Sequence, residues 1–259
     1  MKKNFLIGLV ILISACQSAI PEPSITPEAT ATRIVPTTVP VSSPQGATVT
    51  PMDTPVPTPS PTLVPPERYF TEEFDTPLSH WSTLFASGDS SRVDVLNENS
   101  ALTFELYSTN AWVYAIYGAF EYKSVHIEAR IENLGSNINA MGLICHYDEQ
   151  DGWYEFNISN EGSYNVLYGQ WLAENIARYT PILNDASERI ETGNAINEIG
   201  LDCYENILQL YINGKLIRKL DVAHVGLTGG KVGLSLASFV EAPVILSFDW
   251  VEVSQIVTP

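Results

Sequence analysis

The sequence predicts an all-β fold, an antiparallel β-sandwich or jelly roll, over the part of the chain that follows residue 66. Three observations carry this. From Tyr69 onward nearly every apolar segment alternates with period two and stops at Gly, Asn, Asp or Ser. About a dozen such segments succeed one another at regular spacing, with no helical punctuation between them. Finally, Asn213-Gly214 stands between the apolar runs 208–212 and 215–220, the strongest hairpin signal in the chain. Both central residues of a type I′ turn need φ > 0, and Asn-Gly tolerates that best.

The chain has 259 residues and a formal net charge of −17. Residues 69–259 hold 9 basic and 26 acidic side chains, so the acidity belongs to the C-terminal portion. Such a domain is a poor partner for nucleic acid, whose binding rests on Lys and Arg neutralising phosphates. About 190 residues suffice for one all-β domain with a full core, and a second domain is not expected.

The N-terminus reads in order. Met1-Lys2-Lys3 is basic, residues 5–13 are almost unbroken apolar, and Ile13-Ser14-Ala15-Cys16 follows. That is the layout of a secretory signal over residues 1–15. Its apolar run falls short of the roughly 20 residues of a membrane-spanning helix. The plainer reading is an ordinary signal in which Cys16 is incidental. The segment also resembles a bacterial lipoprotein signal with its lipobox. That resemblance implies cleavage before Cys16, diacylglycerol on its thiol and N-acylation. The protein would then be an exported lipoprotein facing the outside of the cytoplasmic membrane or the cell surface. Its membrane partner would be the lipid tail itself.

Residues 16–66 form a linker. Residues 17–66 contain 13 Pro, 10 Thr and 5 Ser, with only four charges. Proline fixes φ and removes donors, and without apolar periodicity the stretch cannot bury enough surface to offset the entropy of ordering. Polyproline II at about 3.1 Å per residue makes it a spacer.

Within the domain, assigned to residues 67–255, segment 101–107 alternates. Segment 125–131 puts Val125, Ile127, Ala129 and Ile131 on one face and His126, Glu128 and Arg130 on the other, a solvated face. Segments 143–147, 153–158, 164–168, 197–204, 207–212, 216–222, 231–237 and 244–253 continue the series. One short stretch, 172–179, has helical potential.

Several local patterns recur in order: Glu73-Phe74-Asp75 with Trp81, Gly142 to Tyr147, an acidic loop, and Gly152-Trp153-Tyr154-Glu155-Phe156-Asn157. Leu208 to Gly214, Gly230-Lys231-Val232-Gly233 and Ser247-Phe248-Asp249-Trp250 follow. This order resembles the concanavalin A-like lectin/glucanase superfamily, near its laminin G-like and 3-keto-disaccharide hydrolase-type modules. The resemblance implies an antiparallel jelly-roll sandwich, a fold that hosts lectins, hydrolases and adhesion modules alike.

A retaining glucanase needs two carboxylates about 5–5.5 Å apart. The laminarinase-type enzymes of the superfamily carry Glu-x-Asp-x-x-Glu on one strand, and this chain has no such motif. The acidic group 148–151 reads as a hairpin loop open to solvent. With that loop at 148–152, Tyr147 is expected opposite Trp153, Cys145 opposite Glu155 and Leu143 opposite Asn157. Ile144, Tyr154, Phe156 and Ile158 then face the core. Tyr147, Trp153, Glu155 and Asn157 form the other face, with Tyr168 and Trp171 close by in sequence. Flat rings beside amide and carboxylate groups suit a glycan platform. The competing reading packs these aromatics between strands or beneath a loop.

Cys145 and Cys203 are the thiols left once Cys16 is lipidated. An exported pair favours a disulfide over two buried free thiols. No motif requires a cofactor. Related jelly rolls place a structural calcium where first and last strands meet, and the resemblance implies Asp75 and Asp249, at the two ends of the domain, as its candidate ligands. The leading expectation is a lipid-anchored, non-catalytic, carbohydrate-binding module. The alternatives are a glycoside hydrolase of the 3-keto-disaccharide type and a structural or partner-binding envelope protein.

Overall fold

A computed structural model describes residues 65–256. Fifteen strands follow in order: β1 (Phe70–Glu72), β2 (Trp81–Ser87), β3 (Val93–Glu98), β4 (Ala101–Leu106), β5 (Trp112–Tyr122), β6 (Ser124–Asn133), β7 (Asn139–Asp148) and β8 (Gly152–Ile158). The others are β9 (Ser163–Ala173), β10 (Ile176–Ala186), β11 (Ile196–Tyr204), β12 (Ile207–Ile212), β13 (Lys215–Asp221), β14 (Gly230–Ser238) and β15 (Val244–Ser254). Among the described residues the one helical element is a single 3₁₀ turn, Ser90–Arg92.

Two antiparallel sheets result. The eight-stranded sheet runs β13-β12-β11-β6-β15-β4-β3, with β1 beside the last residues of β15. The seven-stranded sheet runs β10-β9-β8-β7-β14-β5-β2. The all-β jelly-roll sandwich expected from the alternation is the observed fold. The hairpin at Asn213-Gly214 joins β12 to β13, with both residues at positive φ (48° and 69°).

The main core lies between the sheets. Val125, Ile127, Ala129 and Ile131 of β6 face it from one sheet. Leu143, Cys145, Tyr154, Phe156 and Ile158 face it from the other. A Cys145–Cys203 disulfide links β7 of one sheet to β11 of the other, with Cα atoms 6.5 Å apart. The expected bond is therefore a staple across the sandwich.

Three local expectations need correction. The stretch 172–179 is the end of β9, a turn and the start of β10, not a helix. The turn residues Glu174 and Asn175, the latter at φ 58°, reverse the chain there. The β7–β8 register is also shifted by one: Ile144 is opposite Glu155, Cys145 opposite Tyr154 and Gly142 opposite Asn157. His146, in the left-handed region at φ 51°, bulges β7 before Asp148 pairs with Gly152. One extra residue on one strand flips every side chain beyond it. As a result Ile144 leaves the main core and joins Tyr147 and Trp153 on the opposite face.

The third correction concerns that opposite face. The two edge strands of the seven-stranded sheet, β2 and β10, approach each other. The sheet therefore curls almost into a barrel, and its outer surface becomes the lining of a lumen. A second apolar cluster fills it: Ala86, Tyr114, Ile116, Ile144, Tyr147 and Trp153, with half-buried Leu84, Trp112, Trp171, Ala177 and Tyr179.

Candidate functional site

At the floor of the lumen lies Glu155 on β8, with no solvent exposure. Burying a carboxylate is costly unless its oxygens are bonded. Here five donors converge. Oε1 accepts from Trp112 Nε1 (2.9 Å), Asn157 Nδ2 (2.9 Å) and Ser235 Oγ. Oε2 accepts from Trp153 Nε1 (3.1 Å) and the Tyr114 hydroxyl (3.1 Å). These donors come from β5, β8 and β14, so one side chain ties together strands on both sides of β7.

The cradle is capped by rings. Trp112 and Tyr179 stack at 4.5 Å between centroids, 21° from parallel. The Tyr114 and Tyr179 hydroxyls are hydrogen-bonded. Burial, with the Glu155 carboxylate beside it, pushes the Tyr114 hydroxyl far above the usual phenol range, and burial does the same to Tyr179. Both phenols stay protonated and serve as hydrogen-bonding groups, not nucleophiles.

The lumen opens at a shallow pocket of about 360 Å³. Its lining includes Leu84, Phe85, Tyr147, Trp171, Glu149 and Glu174. Trp171 Nε1 donates to the Tyr147 hydroxyl (3.0 Å) and its ring lies 5.1 Å from that of Trp153. Burial raises the Tyr147 hydroxyl above its ordinary range, and the Trp171 bond partly offsets this. Glu149, in the β7–β8 loop, and Glu174, in the β9–β10 turn, are exposed. Two carboxylates from two hairpin tips thus flank an aromatic floor.

The residues expected to form an open platform are placed differently. Tyr147, Trp153, Glu155 and Asn157 share one face as expected, but all are buried. Trp171 joins them at the mouth. Tyr168 does not: it packs against the main core and donates to the Asp151 carbonyl (2.7 Å). Trp112, Tyr114, Tyr179 and Ser235 were not singled out by sequence. The signal available for them was the alternation Trp112-x-Tyr114-x-Ile116, apolar and aromatic on both faces of one strand.

The calcium expectation is not supported by its residues. Asp249 is held by Arg130, whose Nε lies 2.9 Å from Oδ2, and Asp75 is exposed. Among the described residues no group of three or more His, Cys, Asp or Glu is gathered to hold a metal ion.

The chain matches no known protein family and no curated protein. Solved structures do resemble it. An endo-glucanase of glycoside hydrolase family 16 from Bacteroides ovatus aligns at a TM-score of 0.51 and 14% identity, covering 71% of this chain and 99% of that one. A β-glucanase from Bacillus licheniformis aligns at 0.50 and 13% identity, covering 73% and 98%. A Bacillus subtilis protein of unknown function with a galectin-like fold aligns at 0.53 and 10% identity, covering 72% and 94%. At such identities the likeness is one of fold: a concanavalin A-like jelly roll.

The expectation of a non-catalytic carbohydrate-binding module is overturned on two counts. Its supposed platform is sealed inside the curled sheet. Several solved structures of like fold are glucan-cleaving enzymes, so the fold does not single out a non-catalytic module.

Proposed function

We propose that this chain is a carbohydrate-active enzyme of the glycoside-hydrolysing class, acting on oligosaccharides at the mouth of the lumen. The observation that carries the reading is that Glu149 and Glu174 line one open pocket with the half-buried Trp171 ring. The fold likeness to endo-glucanases supports it and makes β-glucan oligosaccharides the first substrates to test.

In this reading the Trp171 ring stacks against a sugar's C–H face. One of the two, as the protonated carboxylic acid, gives its proton to the glycosidic oxygen as the C–O bond breaks. The other either attacks the anomeric carbon or takes a proton from the water that does, and water is added across the bond overall. Glu155 holds the floor in shape and touches no substrate.

The test is turnover of a panel of β-glucans and aryl glycosides by the full chain. Glu149→Gln and Glu174→Gln are each expected to lower kcat/KM by about a hundredfold. No turnover across the panel would overturn the proposal.

A second reading, a structural or partner-binding envelope component, is favoured by the complete closure of the Glu155 cradle, which makes the lumen a second core. Salt-sensitive capture of a basic partner, with no turnover, would mark that outcome.

Either function is proposed to operate outside the cell on a lipid tether at Cys16, with residues 16–66 as stalk. Residues 1–64, which include Cys16 and nearly all of this stalk, lie outside the described residues. Cys16→Ala is expected to move the protein from the membrane fraction to the soluble exported fraction. Unchanged membrane retention would overturn the tether.

A further inference from the structure

Residues 65–256 contain ten Lys and Arg, and in so acidic a domain their placement is informative. Arg130 lies against Glu198 and Asp249, and Arg218 against Asp185. Three others, Arg68, Lys123 and Lys231, line one open pocket of about 630 Å³ together with Phe120, Tyr122 and Gly229. Among the described residues none of these three is in a salt bridge. The one acidic residue of the lining is Glu121, and there the Arg68 Nη1 donates to the backbone carbonyl (2.8 Å).

The pocket is built at one end of the β5–β14 ladder, where Gly230 pairs with Tyr122. Lys123 follows β5 and Lys231 is the second residue of β14, so the ladder brings the two side chains to the same end. Arg68 is fixed from both sides. Its carbonyl accepts from the Tyr122 hydroxyl (2.7 Å), and its guanidinium lies 4.7 Å from the Phe120 ring centroid and 5.5 Å from that of Tyr122. Ring stacking holds the guanidinium plane and leaves further N–H groups for a ligand. Lys231 also helps Asp148, whose carboxyl is held low chiefly by the backbone N–H groups of Asp151 and Gln150.

Three cations around one concavity repel each other, and an oxyanion placed between them relieves that repulsion. The volume lies within the range of about 300–1,000 Å³ usual for small-ligand sites. We propose that this pocket binds an acidic saccharide, a sugar carrying carboxylate or sulfate groups. The observations favour a saccharide over an anionic membrane surface. The rest of the domain is strongly negative, which repels a bilayer of like charge. The site shares no residue with the mouth of the lumen and stands whether or not hydrolysis occurs there.

The test is calorimetric titration of the full chain with trigalacturonate, with a sulfated trisaccharide, with neutral cellotriose and with inorganic phosphate. Co-sedimentation with anionic phosphatidylglycerol vesicles is a further arm. Binding of either acidic trisaccharide, weakened about tenfold by Lys123→Glu with Lys231→Glu and weakened by salt, is the expected result. The carboxylated and sulfated arms distinguish the two sources of charge. An unchanged thermal midpoint shows that the double variant is folded, and Arg68→Gln supplies an independent loss of affinity. The proposal is overturned if cellotriose binds as well as the acidic sugars, if phosphate alone binds as tightly, or if vesicles are the only ligand. It is equally overturned if the double variant binds like the parent.

Discussion

Replacing Glu155 by glutamine removes a charge without changing shape, and its cost can be worked from the cradle. The five donors are divided between the two oxygens, three on Oε1 and two on Oε2. Either oxygen replaced by NH₂ turns a donor toward an indole N–H, Trp112 on one side or Trp153 on the other. An indole can only donate: NH₂ toward Trp153 leaves a buried N–H unpaired, and NH₂ toward Trp112 leaves that indole only its longer bond to Ser235 Oγ (3.2 Å), at about 1–3 kcal/mol. The remaining bonds lose their charge assistance, which raises the expected total to about 2–4 kcal/mol. For a domain of this size each kcal/mol lowers Tm by about 2–4 °C. Urea and thermal unfolding, followed by tryptophan fluorescence, should therefore show Tm reduced by roughly 5–15 °C, because Trp112 and Trp153 report on the site directly. A variant within about 0.5 kcal/mol of the parent would refute the account. It would mean that water reaches the lumen and already satisfies these donors.

Other consequences follow from the same geometry. The disulfide closes a loop of 58 residues, so Cys145→Ala with Cys203→Ala should cost about 4 kcal/mol by loop entropy; equal denaturation midpoints with and without reductant would contradict this. The space beside Gly169 is filled by the Trp153 ring, to which a Cβ would approach 2.2 Å, so Gly169→Ala should destabilise by about 1–3 kcal/mol and alter the near-ultraviolet dichroism of Trp153. On the outer face of the other sheet, burial opposes the charge on His126. The hydrogen bonds to Asp202 and Glu128 outweigh it and lift the imidazole from 6.5 to about 9. A raised folded value means that the contribution is complete below pH 6.5 and is lost as pH rises through 9. Stability measured across that window should fall for the parent and fall less for His126→Gln; parallel curves would disprove the linkage.

Much of the fold was legible in the sequence because strand alternation is a local property. Val125 to Ile131 sorted correctly into core and solvated faces, since β6 lies mid-sheet with one side against the core and the other half open. Asn213-Gly214 named its hairpin because a positive φ at both residues is a demand that few residue pairs meet. Cys145 and Cys203 were a plausible pair, although alternation alone gave no hint that they belong to different sheets.

The candidate site was legible only in part. The grouping of Tyr147, Trp153, Glu155 and Asn157 on one face was correct, but its exposure was not. Alternation separates the two sides of a strand without saying what covers either. The cover comes from β2 and β10, strands far apart in sequence whose meeting depends on the curl of five strands between them. The shift at His146 was equally hidden, because a bulge depends on how one strand fits its neighbour. The sequence alone determined the sandwich, its hairpin and the face that Glu155 occupies. The tertiary structure decided that this face closes on itself, since burial on the far side of a sheet depends on curvature, and curvature belongs to all the strands together.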